Sequence, residues 1–264
     1  MCAMIPLDAY GTGTSFHFVN HNLNECLLQV LDAANSCRCE QAKSHLMYGA
    51  GRRLRIIKRS FHVVANIVKP NRNKPLDDEE QVELNLHLNS LYLHLRGLMD
   101  NLAWAVVLEH GILGEFDEKQ SKDRQRVGLF NKEFMEAVKG EFPGFYQALK
   151  EKADWNRELR DLRDPVAHRI PIYAVPSFLS QEEATEYRRK YAEAIRCINK
   201  LNFEESDRLL EEIGQIGTYV PVFHRTEDAE QKLYPVHDQV ERDLDNTITV
   251  FFSGLRLFMH NPEA

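Results

Sequence analysis

The chain has 264 residues, 43% of them apolar and 28% charged, with a net charge of −7. That is enough chain to bury one large core, and no apolar run is long enough to span a bilayer. An acidic balance also argues against a protein that coats nucleic acid indiscriminately.

The first residues, Met1-Cys2-Ala3-Met4-Ile5-Pro6, have neither a basic start nor a long apolar run, so no secretory signal is expected. Five cysteines, with Cys37-x-Cys39 the one close pair, suggest reduced thiols in a cytoplasm. From Gly51 to Leu76 there are eight bases (Arg52, Arg53, Arg55, Lys58, Arg59, Lys69, Arg72 and Lys74) and no acid, which leaves −15 on the remainder. The segment reads as a helix with two stripes. Leu54, Ile57, Phe61, Val64, Ala65 and Val68 form an apolar one, and Arg52, Arg55 and Arg59 a basic one. The basic stripe is either a guide for a polyanion or an ordinary solvated face.

Pro70 and Pro75 mark a loop, and Asp77-Asp78-Glu79-Glu80 suits a helix start. The next stretch alternates like a strand at Leu84, Leu86, Leu88 and Leu91, Leu93, Leu95. Its 4-3-4-3-4 spacing at Leu84, Leu88, Leu91, Leu95, Leu98 and Leu102 instead predicts a long buried helix from Asp78 to about Glu109, ended by Gly111 and Gly114. Asp100 and Asn101 interrupt it and face either a polar interior or solvent.

A charged loop spans Glu115 to Arg126, followed by a short helix around Phe130, Phe134 and Val138. Pro143 opens a helix through Tyr146, Leu149, Ala153 and Leu162. It is expected to stop near Asp164, because a residue preceding proline is pushed out of the α region. Ile170 to Pro176 reads as extended, and Thr218 to Phe223 is a second extended piece able to pair with it. Ser180 with Glu183 makes a capping box for a helix through Ala184, Tyr187, Tyr191, Ala194 and Ile198, broken near Asn202 and continuing to Ile213. A last helix carries Val236, Val240, Leu244, Ile248, Phe251, Leu255 and Phe258. The expected fold is an all-α bundle of long antiparallel helices with a small two-stranded accessory. One domain covers 1–264, with an N-terminal elaboration over 1–75 and a core over about 78–260.

Nucleotide-loop and hydrolase motifs are absent; Gly11-x-Gly13 lacks the third glycine and a preceding strand. His17/His21 and His87/His94 have no carboxylate or cysteine partner set, so neither a metal nor another cofactor is expected. What stands out is Arg163-Asp164-Pro165-Val166-Ala167-His168 at the expected end of a helix. Arginine binds phosphate oxygens in pairs, and histidine moves protons near neutral pH. A structural role is also open, since arginine complements a helix C-terminus and aspartate before proline suits a turn.

The Arg163-Asp164-x-x-x-His168 pattern resembles the HEPN superfamily (higher eukaryotes and prokaryotes nucleotide-binding domains). Those domains are helical bundles with arginine, a polar residue, and histidine after a gap of four to six. Ala167-His168-Arg169-Ile170-Pro171-Ile172-Tyr173 is also similar to uncharacterised bacterial proteins of HEPN type. The specific match covers roughly Arg160 to Pro176. The resemblance implies a metal-independent ribonuclease in a bacterial toxin, defence or stress setting, with its active site formed between two copies of the chain. His168 would be the general acid/base, Arg163 would hold the scissile phosphate, and Asp164 would orient one of them. Arg160 and Arg169 are candidate RNA contacts beside Arg52, Arg55 and Arg59. Implied partners are RNA, a second copy and an antitoxin or regulatory protein, with no membrane. The alternative is a helical dimerisation or binding module without catalysis.

Overall fold

A computed structural model describes residues 13–225 and 232–259, so the readings of Met1 to Pro6 and of Gly11 lie outside the described residues, as does the His17 side chain. The architecture is all-α. The helices are α1 (Gly13–Ser36), α2 (Glu40–Ser44), α3 (Gly51–Ile67), α4 (Asp78–His110), α5 (Ser121–Arg124), α6 (Lys132–Glu141), α7 (Pro143–Glu151), α8 (Ala153–His168), α9 (Gln181–Asn199), α10 (Phe203–Ile213) and α11 (Val236–Leu255). A π-helical turn, His45–Ala50, joins α2 to α3. None of the described helices is long and apolar enough to cross a membrane.

The long helix α4 is the axis of the body. Leu84, Leu88, Leu91, Leu95, Leu98 and Leu102 are all buried, whereas Leu86 is 63% exposed. The heptad spacing therefore describes this segment and the strand-like alternation does not. Its start is fixed by a capping box: Asp77 accepts from the Glu80 amide, and Glu80 accepts from the Asp77 amide at 3.1 Å. Arg72 grips the same Glu80 with two nitrogens, holding that carboxyl below its usual range. At the other end Gly111 takes φ 64°, the left-handed conformation that closes a helix without a Cβ clash.

Around α4 pack α3, the π turn, α2, α8 and α11, with α1 lying against α11 and α3. One apolar cluster runs from Val19 in α1 to Phe258 after α11. In α3 the two stripes separate as the sequence predicts. Leu54, Ile57, Phe61, Val64 and, just past the helix end, Val68 are buried, Ala65 is half-buried, and Arg52, Arg55 and Arg59 are exposed.

Two expectations for the middle of the chain fail. The helix begun at Pro143 does not run on through Ala153. It stops at Glu151, Lys152 adopts φ −101° and ψ 9°, and α8 starts afresh. Nor does α8 end near Asp164; it includes Pro165 and reaches His168. Pro165 has no N–H for the carbonyl of Asp161, four residues earlier. Arg225 supplies the missing donor, its Nη1 lying 2.8 Å from that oxygen, so the helix passes through the proline with its carbonyl satisfied.

The small sheet has three antiparallel strands rather than two, in the order β1 (Tyr173–Ala174), β2 (Val222–His224), β3 (Leu233–Pro235). Tyr173 pairs with His224 and Ala174 with Phe223, while Phe223 also pairs with Tyr234. Asn89 and Asn85 of α4 bond Ile172 and Ala174, anchoring this segment to the bundle.

Deep in the body, Asp243 of α11 is fully buried. Trp155 Nε1 of α8 donates to it at 2.9 Å, Gln239 Nε2 at 2.7 Å and Tyr92 Oη of α4 at 3.2 Å. Burial pushes the carboxyl above its usual range, and these donors pull it back. Asp243→Asn keeps the shape but turns one acceptor into an amide donor facing other donors. It is expected to cost about 1–3 kcal/mol, read as a lower denaturation midpoint at neutral pH.

Candidate functional site

Inside α8 the motif residues are distributed by helix geometry. Asn156, Leu159 and Arg163 lie three to seven residues apart, on the face turned to α4. Asp164 and His168 are one turn apart and share another face. Five residues turn a helix through about 500°, so Arg163 and His168 point about 140° apart. The structure thus joins Arg163 to Asp164, Nη1 to Oδ1 at 3.0 Å, and leaves His168 exposed at the helix end. His168 makes no side-chain hydrogen bond to the described residues. Arg160 and Arg169 are also exposed. Arg163 is more enclosed, and its Nε is buried with no acceptor.

What Arg163 faces is a polar seam that the sequence does not reveal. Arg96 of α4 donates to Asn156 Oδ1 of α8 at 2.7 Å and pairs with Asp100, Nε to Oδ1, at 3.5 Å. Burial raises the Asp100 carboxyl above its ordinary range, and the guanidiniums of Arg96, Arg163 and Arg53 oppose that rise. The Asp100 side chain is still 43% exposed, so water screens part of the burial. Asp100 thus lies among three arginines drawn from α3, α4 and α8.

Arg53 begins the second half of the seam. Its Nε donates to Asn101 Oδ1 at 2.9 Å, and its Nη1 lies 3.1 Å from His94 Nδ1. A guanidinium offers only donors, so His94 Nδ1 must accept and its proton must sit on Nε2. Asn101, with its oxygen committed to Arg53, turns its amide nitrogen to His45 Nδ1 at 3.3 Å, which makes His45 an acceptor as well. The His45 ring stacks on Trp104 with centroids 5.5 Å apart. Two glycines make room for this chain of contacts. A Cβ on Gly97 would overlap the Arg53 guanidinium, and one on Gly49 the Asn101 amide.

Asn101 therefore faces a polar interior on the α3 side of α4, while Asp100 lies at the seam's edge on the α8 side, still open to water. The signal available beforehand was their interruption of a leucine-rich helix, with Gly97 one turn away. Arg53 is set apart from the exposed Arg52, Arg55 and Arg59 by its turn toward α4. With both histidines neutral, Arg53, Arg96 and Arg163 against Asp100 and Asp164 leave one positive charge in excess. Among the described residues no cluster of three or more histidine, cysteine, aspartate or glutamate side chains is arranged to hold a metal ion. Comparison of the chain with protein-family models, with curated proteins and with solved structures gave no match.

The neutral histidines make stability depend on pH. Burial lowers His45, His62, His87, His94, His110 and His237 from the ordinary imidazole value. Below about pH 6.5 the unfolded chain then binds more protons than the folded one. Their contribution is complete above that value and is lost as pH falls through the lowered folded range. Chemical denaturation is expected to show a lower midpoint at about pH 5.5 than at about pH 7.5. His94→Gln, which keeps an acceptor for Arg53, is expected to make that difference smaller.

Proposed function

We propose that the chain is a metal-independent endoribonuclease of HEPN type. The observation that carries this reading is the placement of His168 at the end of α8, exposed and without a hydrogen bond to the described residues. A histidine there contributes little to the core, and it has the access that proton transfer to a substrate needs. Asp164 stands one turn before it and bonds Arg163, whose buried Nε lacks an acceptor.

In this mechanism His168 removes the proton from an RNA 2′-hydroxyl. The 2′-oxygen attacks the adjacent phosphorus, and the 5′-oxygen leaves with a proton given by the protonated His168 of the second copy, producing a 2′,3′-cyclic phosphate end. Arg163 stabilises the charge that builds on the phosphoryl oxygens. Because Arg163 and His168 diverge on one helix, the reading places two α8 ends, from two copies, on one phosphodiester. Exposed Arg160, Arg52, Arg55 and Arg59, together with Arg169, supply phosphate contacts along the strand. A bacterial toxin, defence or stress setting, with an antitoxin or regulator as partner, follows from the same resemblance.

A binding module without catalysis is the second reading. It is favoured by the engagement of Arg163 with Asp164 and the α4 seam, which is also what a purely structural arginine would show.

RNA incubated with the pure protein in EDTA separates the two. Cleavage leaving cyclic phosphate ends is expected, falling about 10²–10⁴-fold in His168→Ala with an unchanged melting temperature. Binding without cleavage of any RNA would favour the module instead. Replacing Arg52, Arg55 and Arg59 together by glutamine is expected to weaken single-strand binding and to flatten its salt slope by about 2. An unchanged slope would make that stripe an ordinary solvated face.

A further inference from the structure

The α9–α10 hairpin packs mainly on itself. Its buried residues Ala194, Leu209 and Ile213 stand outside the apolar cluster of the body. One edge of the seam is closed by ions: Lys190 bonds Glu212 at 2.9 Å and pairs with Glu186, while Arg208 holds Glu205 and Glu212. The opposite face is apolar. At about 100° per residue from Ala194, Tyr187, Tyr191, Ile195 and Ile198 fall on one flank of α9. The same rotation from Leu209 puts Phe203 and Leu210 on one flank of α10. Because the helices run antiparallel, both flanks open onto the same face of the hairpin. These six side chains are 37–56% exposed, and Tyr187 and Tyr191 stack at 6.2 Å. Soluble chains seldom leave so many large apolar groups together in water without a partner.

We propose that this face is covered by the same face of a second copy of the chain, forming a four-helix bundle about a two-fold axis parallel to the helices. The charges select the partner and the axis. Beyond the apolar flank, the outer edge of α9 carries Arg188 and Arg196, and that of α10 carries Asp207 and Glu211. All four are exposed, and none has an ion pair among the described residues. An axis along the helices sets α9 of each copy against α10 of the other, so these cations meet these acids twice. An axis across the helices would set α9 on α9 and α10 on α10, like charge on like. Only the first arrangement covers the apolar face and completes the charges together. The inference rests on the hairpin alone and stands whether or not the chain cleaves RNA.

Sedimentation of the full chain at micromolar concentration is expected to show a dimer. Tyr191→Glu with Ile195→Glu is expected to give a folded monomer of unchanged helical signal, whose melting temperature no longer rises with protein concentration. A wild-type monomer, or a double variant that is folded and still dimeric, overturns the proposal. If that variant does not fold, reversal of the exposed charges decides. Arg188→Glu/Arg196→Glu alone, and Asp207→Lys/Glu211→Lys alone, should each weaken self-association about tenfold or more. An equimolar mixture of the two should recover it as a mixed dimer. No weakening in either variant, or no recovery in the mixture, refutes the pairing.

Discussion

A buried carboxylate with three donors, each from a different place, fixes how the main helices stand against one another. Asp243 gathers Tyr92 from α4, Trp155 from α8 and Gln239 from its own helix. Leaving a buried donor or acceptor unpaired costs more than the net gain from making the bond. A rotation or slide of α8 would lose the Trp155 contact, so this network sets the roll of α8. That roll turns Asn156, Leu159 and Arg163 toward α4 and leaves His168 facing water. The candidate site thus owes its geometry to a contact about three turns upstream in the same helix.

The same logic runs along α4. A helix enclosed by neighbours over most of its length has few places for a polar side chain. Where Arg96, Asp100 and Asn101 occur, partners on α3, the π turn and α8 had to be supplied with them. Two glycines, at 49 and 97, keep backbone and side chains close enough for those partners to reach. The resulting seam is a structural element and a patch of excess positive charge at once.

Much of the fold could be read from local rules, because those rules act within a few residues. The heptad of α4, the capping boxes at Asp77 and Ser180, and the split stripes of α3 depend only on spacing and helix geometry. The end of α8 could not be read that way. Sterics disfavour an α conformation before Pro165, yet a donor from Arg225, sixty-four residues beyond the Asp161 carbonyl it bonds, makes the longer helix viable. The break at Lys152 is equally silent, since the apolar period continues across it. Of the candidate site, Arg163, Asp164 and His168 were legible as a motif. The seam they join was not, because Arg53 and Arg96 look in sequence like any charged surface residues, and the interruption at Asp100 fits an interior site and solvent equally well.

Pro165 has a dynamic consequence for the motif it interrupts. Upstream of it, Arg163 belongs to the part of α8 clamped against α4. Downstream, His168 belongs to a final turn with one backbone rung fewer to the helix before it, the Asp161 carbonyl bonding Arg225 instead. With one rung fewer, such a turn opens at lower free energy than the packed helix behind it. The motif's histidine thus sits on the less firmly tied side of the proline and its arginine on the firmly tied side.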